Sequence, residues 1–148
     1  MKLLTLWTLG LTPTITAVRS SSGAHTLQPG FAVSGAAQRG PLAMELELGM
    51  SSWQESQLDT QARLTLLRPA ALVGVRAGEG PASVGLYAGP AAAIFLAESG
   101  TLARPAVRVR GDLSKDLGER WSLGGQAGLT QRGRSGDLDL GLRVGVRW

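Results

Sequence analysis

The last eleven residues alternate without a fault. Leu138, Leu140, Leu142, Val144, Val146 and Trp148 occupy one parity, and Asp139, Gly141, Arg143, Gly145 and Arg147 the other. Side chains of an extended strand point alternately to opposite faces, so this stretch is a strand with one greasy face and one of charge and glycine. The pattern recurs. In Trp121 to Thr130, Trp121, Leu123, Ala127 and Leu129 oppose Ser122, Gly124, Gln126, Gly128 and Thr130; in Leu42 to Ser51, Leu42, Met44, Leu46, Leu48 and Met50 oppose Ala43, Glu45, Glu47, Gly49 and Ser51. Two-faced strands with unpaired edges aggregate, so a chain made of them must close its sheet or cover it.

Between turn signals the chain divides into eight strand segments, 6–18, 28–38, 42–53, 62–77, 82–97, 105–114, 121–131 and 138–148. Shared among eight, 148 residues leave 18.5 for each strand with its connection. That suits a strand of about 9 to 11 residues tilted across a bilayer, plus a turn. Arg39-Gly40-Pro41, Gly78 to Pro81 and Lys115 to Arg120 read as tight connections. Arg19 to Leu27, Gln54 to Gln61, Glu98 to Arg104 and Arg132 to Asp137 read as longer, more polar loops. Pro13, Pro29, Pro69, Pro90 and Pro105 fall in or at the start of these segments, where bulges or local breaks are expected because proline cannot donate to a ladder. The apolar period slips near Leu66-Leu67.

Composition narrows the function. There is no cysteine and one histidine, His25, so thiolate and multi-imidazole metal sites lack their ligands. Thirteen of the fifteen basic residues are arginine, scattered singly between apolar neighbours as in Val107 to Arg110. That distribution lacks the clustered patch of a nucleic-acid binder. His25 with Ser20 to Ser22 lacks an orienting acid and reads as a polar loop, not a catalytic pair. Gly74 to Gly80 precedes no helix and reads as a turn, not a phosphate loop. Asp137 reads as a loop end, and Arg132 and Arg134 as residues of a solvated loop, with bidentate bonds to lipopolysaccharide phosphates as the alternative.

An eight-stranded barrel has an interior only wide enough for its own side chains. Two orientations are open. With the apolar face outward the chain is an all-β, antiparallel, up-and-down transmembrane barrel. With it inward the chain is a soluble calycin-like barrel that carries a small apolar ligand. Twenty-one glycines, many on the charged parity, favour the first, since that face would make a thin soluble surface. The lumen then holds Glu45, Glu47, Asp112 and Asp139 against Arg68, Arg76, Arg108, Arg110, Arg143 and Arg147. Buried ions must be paired, so a network across the lumen is expected, with two arginines left to water or carbonyl partners. An anion-biased pore is the alternative use of these arginines. Trp7, Trp53, Trp121 and Trp148 all lie near segment ends, where membrane barrels place aromatic girdles.

Val84-Gly85-Leu86-Tyr87-Ala88-Gly89-Pro90 resembles a strand motif of the small outer-membrane β-barrel domain of Gram-negative bacteria, the OmpA/OmpX-like and porin-T-like eight-stranded barrels. Leu67 to Leu72, with its embedded proline, resembles the strand before it; Leu9-Gly10-Leu11 resembles the opening motif. Gly133 to Trp148 resembles the closing strand, whose terminal aromatic is read by the outer-membrane assembly machinery. The resemblance spans almost the whole chain. It implies a single barrel domain over residues 1–148, a bacterial outer-membrane location and no enzymatic activity or cofactor. It further implies a structural, adhesion or envelope-integrity role, with membrane lipid, lipopolysaccharide and the assembly machinery as partners. Met1 to Ala17 is only a partial secretory signal, with Ile15 where a small residue is needed before the cut. Leu6 to Val18 is therefore read as the first strand, with the export signal lying outside this sequence.

Overall fold

The computed structural model describes residues 6–19, 25–57, 60–78 and 81–148. Eight strands follow in chain order: β1 (Leu6–Arg19), β2 (His25–Arg39), β3 (Leu42–Gln57), β4 (Thr60–Ala77), β5 (Ala82–Ala97), β6 (Gly100–Leu117), β7 (Trp121–Arg132) and β8 (Ser135–Arg147). Each pairs antiparallel with its sequence neighbours, and β8 pairs with β1, so the sheet is a closed barrel. Closure leaves no edge along the barrel wall.

The registers define the cylinder. Cross-strand partners lead from Trp7 through Ala37, Met44, Val73, Ala88, Val109, Leu129 and Leu138 back to β1 at Ala17, ten residues beyond the start. A stagger of ten over eight strands, at about 3.3 Å per residue and about 4.8 Å between strands, gives a tilt of about 41° and a backbone radius of about 8 Å. That lumen admits side chains and little else.

The side-chain alternation decides what faces where. Leu46 is 69% exposed, and its neighbour Glu45 is 2% exposed. Leu9, Leu11, Ile15, Val73, Leu113, Leu140 and Leu142 point outward with Leu46, and the ionic parity is enclosed. An apolar interior for a greasy ligand, the soluble-carrier alternative, is thereby overturned.

Seven of the eight strands are longer than the sequence segments, at the expense of the loops, and β5 coincides with its segment. Glu98 to Arg104 and Arg132 to Asp137 are not long loops: two-residue turns at 98–99 and 133–134 join strands that run through the rest. Gly133 makes its tight reversal with φ of 56°, where other residues are strained. Polarity misled here, because strand ends past the apolar belt face water and carry polar residues. β3 through β6, at 16 to 18 residues each, form the tall flank of the barrel.

Three prolines interrupt pairing without shifting it. The β1–β8 ladder skips Thr12 and Pro13, and the β4–β5 ladder skips Arg68, Pro69, Ala71 and Leu72, yet both resume in the same register. Breaks occur at Pro13, Pro69 and Pro90, whereas Pro29 and Pro105 sit in unbroken ladders with β1 and β5; no bulge forms, because flanking pairs hold the alignment.

Candidate functional site: an ionic lumen inside an apolar belt

Four carboxylates and three guanidinium groups meet at the centre of the barrel. Arg110, on β6, has no exposed surface. Its Nη1 donates to Glu45 Oε1 at 2.8 Å and Glu47 Oε2 at 2.5 Å, and its Nη2 to Glu45 Oε2 at 2.6 Å, across the lumen on β3. Arg108, two residues along the same inward parity, grips Asp139 of β8 through two parallel bonds of 2.7 and 2.9 Å. It also reaches Glu47 at 2.8 Å and Thr130 Oγ1 at 2.9 Å. Arg143, from β8, closes the cluster on Glu45 at 3.0 Å, Asp112 at 3.4 Å and Ser34 Oγ at 3.2 Å. The two-pronged Arg108–Asp139 bond is the strong form of such contacts, fixing orientation as well as charge.

An aromatic bed supports this cluster. The Arg110 guanidinium lies 4.6 Å from the Tyr87 ring centroid, and Tyr87 packs with Ala43, Ala70 and Leu72 on the inner wall. A cation over an aromatic face gains from the ring quadrupole, most where water is excluded. Glycines supply the room. A Cβ on Gly128 would fall 2.7 Å from Arg108 Nη2, and one on Gly10 2.9 Å from Arg143 Nε. At Gly10 and Gly128 the missing side chain is what lets an arginine cross.

Outside this cluster the lumen arginines differ. Arg147 pairs with Asp116, through Nη1 and Oδ2 at 2.6 Å. Arg68 and Arg76 bond to hydroxyls: Arg68 Nη2 donates to Thr16 Oγ1 at 2.9 Å, and Arg76 Nε to Ser83 Oγ at 2.9 Å. Neither has a carboxylate within ion-pairing distance among the described residues. Serine and threonine hydroxyls therefore take the place expected for water or carbonyls.

Three charges escaped the sequence reading. Arg132 and Asp137, placed in a loop, face inward on β7 and β8 and pair with each other, and Arg132 lies 5.0 Å from the Phe95 centroid. Asp116 also faces the lumen. Their signal was present: Asp116 continues the parity of Asp112 and Ser114, Asp137 that of Asp139, and Arg132 that of Thr130. The segments stop two residues short of Asp116 and one residue short of Arg132 and Asp137. Arg132 is thereby removed from the lipopolysaccharide candidates; Arg134 remains exposed in the turn.

Trp7, Trp121 and Trp148 stand exposed on the outer surface at the end of the barrel that carries both termini. The Trp7 and Trp148 backbones bond to each other, N to O, at 3.2 and 3.4 Å. Trp53 departs from the expected girdle. It lies at the opposite end, half-buried on the inward parity of β3. Ser20 to Ser22 lie outside the described residues, and among those described no group of three His, Asp or Glu side chains suits a metal ion.

Solved structures match this architecture over nearly its full length. Neisserial surface protein A superposes with a TM-score of 0.72 at 12% identity, covering 97% of each chain. The fold is that of the small eight-stranded outer-membrane β-barrels. Ail of Yersinia pestis, the attachment invasion locus protein, solved with the heparin analogue sucrose octasulfate, has a TM-score of 0.65 at 10% identity, again over 97% of both chains. The N-terminal β-barrel domain of Pseudomonas aeruginosa OprF scores 0.59 at 12% identity over 95% of this chain and 97% of that one. No protein family and no curated protein matches the chain by sequence. The likeness to outer-membrane barrels is one of backbone architecture, and the ionic lumen is described by this chain's own residues.

Proposed function

We propose that this chain is a non-enzymatic integral protein of the bacterial outer membrane, a barrel plugged by its own salt bridges that serves as a structural and surface-presenting element. The observation that carries this reading is the pairing of an apolar outer belt with a lumen closed by the Arg110–Glu45–Glu47–Arg108–Asp139–Arg143–Asp112 network. Only a hydrocarbon surround rewards such an outer surface. An interior crossed by interlocked arginines favours a structural plug over the anion-biased pore.

Contact with the surroundings then falls to the tall β3–β6 flank and the turn at 133–134, at the end away from the termini. Arg63, Arg104 and Arg134 are exposed there. Guanidinium groups on a barrel rim fit phosphate or sulfate oxygens, so lipopolysaccharide is the nearest partner and sulfated surface glycans a second, in an adhesion or envelope-integrity role. Trp148 acts as the terminal aromatic read by the assembly machinery.

The test is fractionation of a Gram-negative host expressing the chain with an export signal. The reading expects it in the outer membrane, released only by detergent, with a band that shifts on heating and no conductance steps in planar bilayers. Release by lysis without detergent would overturn the membrane assignment, and steady single-channel steps would overturn the plug.

A further inference from the structure

The end of the barrel that carries the termini opens into a cavity of about 600 Å³, lined by Gln38, Pro41, Arg76, Ser83, Asp116 and Arg147 among others. Two arginines face this cavity. Arg147 is ion-paired with Asp116. Arg76 is not: its Nε donates to Ser83 Oγ and its Nη2 to Ser114 Oγ, the two serine oxygens lie 3.0 Å apart, and no described carboxylate is within ion-pairing distance. Hydroxyl acceptors orient a guanidinium without cancelling its charge. Nη1 of Arg76 is engaged by no described residue and is left for the cavity.

The surroundings reinforce that charge. Arg39, Lys115 and Arg120 are exposed around the same end, with Glu119 as the exposed acid among the described residues there. A low-dielectric wall with a cationic rim focuses potential into the mouth and raises the local concentration of anions. A guanidinium held in place by two serine acceptors, with a second arginine facing the same cavity, is the donor set that carboxylate or phosphate oxygens require. We infer that this vestibule binds a small oxyanion, a carboxylate or a phosphate, with Arg76 as its principal ligand and Arg147 as the second cation.

The experiment uses the folded barrel in detergent micelles, its fold checked by heat-modifiable mobility. Sodium phosphate and sodium acetate are titrated separately, with ionic strength held constant by chloride, while the arginine Nε–Hε resonances are followed by NMR. The expected result is a saturable shift of Arg76 and Arg147 with at least one of the two anions, while Arg108 and Arg110 stay still. Saturation by phosphate alone identifies a tetrahedral oxyanion, and by acetate alone a carboxylate. Arg76→Gln is expected to weaken binding by about tenfold or more, as loss of a charged hydrogen-bond donor does. Arg76→Lys keeps the charge, loses the fork and falls between. Should neither variant fold, Ser83→Ala removes one group that orients Arg76 and is expected to weaken binding severalfold. Linear shifts with no saturation, or saturation unchanged in the variants that fold, would overturn the assignment.

Discussion

Arg110 and Glu45 join β6 to β3 across the barrel axis by two near-parallel bonds, Nη1 to Oε1 at 2.8 Å and Nη2 to Oε2 at 2.6 Å, with both side chains out of reach of solvent. These strands are not neighbours in the sheet, so the contact ties opposite walls. Removing one partner strands the other's charge. Arg110→Met leaves Glu45 and Glu47 underpaired and is expected to lower stability by about 3–5 kcal/mol in urea unfolding from lipid vesicles. Glu45→Gln combined with Arg110→Met should cost clearly less than the two singles added, since residues of one network couple. Additive losses would show that the pair does not act as a unit.

Three glycines grade the space along the barrel. A Cβ on Gly89 would lie 2.0 Å from the Ala71 carbonyl oxygen, on backbone that cannot step aside. On Gly128 it meets the Arg108 guanidinium at 2.7 Å, the movable end of a side chain; on Gly35 it meets nothing within 4 Å. Alanine substitutions should therefore destabilise in the order Gly89, Gly128, Gly35. Overpacking costs about 1–3 kcal/mol or more at Gly89, and replacing glycine in a strand is neutral to slightly stabilising at Gly35. The midpoints of denaturant unfolding in one detergent give the ranking directly.

Trp148 separates assembly from stability. Its backbone completes the β1–β8 seam through Trp7, but its ring is exposed on the outside of the barrel. Trp148→Ala keeps the backbone bonds and should change unfolding in vitro by roughly 1 kcal/mol or less, as other surface substitutions do. In cells the same variant is expected to yield severalfold less heat-modifiable barrel. Equal yields would dismiss the ring as an assembly signal.

Much of the barrel was legible because its walls obey one rule. Leu138 to Trp148 shows a face to each solvent at every step, and period two survives even where proline breaks the ladder. The rule failed where the environment changes along the strand. Leu66 is fully buried on the inward parity beside outward Leu67, so the alternation of apolar and polar vanished there although the geometry did not. Asp116, Arg132 and Asp137 were hidden by their nearness to turns, because polarity at a strand end looks the same whether it faces water or another charge. The partners of Arg108 on three other strands depend on register and stagger, which no single segment encodes.

The decisive contrast lies between adjacent residues of β3. Leu46 stands in the middle of the apolar belt, between outward Met44 and Leu48 and beside Gly35 and Ala71 on the flanking strands. Leu46→Arg therefore puts a charge where hydrocarbon is expected. A barrel spanning lipid should lose about 2–4 kcal/mol when refolded into vesicles, because a cation near the bilayer midplane has no water to solvate it. The penalty should shrink in small, mobile detergent micelles, where the long side chain reaches water more readily. Leu46→Ala supplies the reference for lost apolar contact alone. If Leu46→Arg and Leu46→Ala unfold alike in vesicles, the outer face of this barrel does not meet hydrocarbon, and the membrane assignment falls with it.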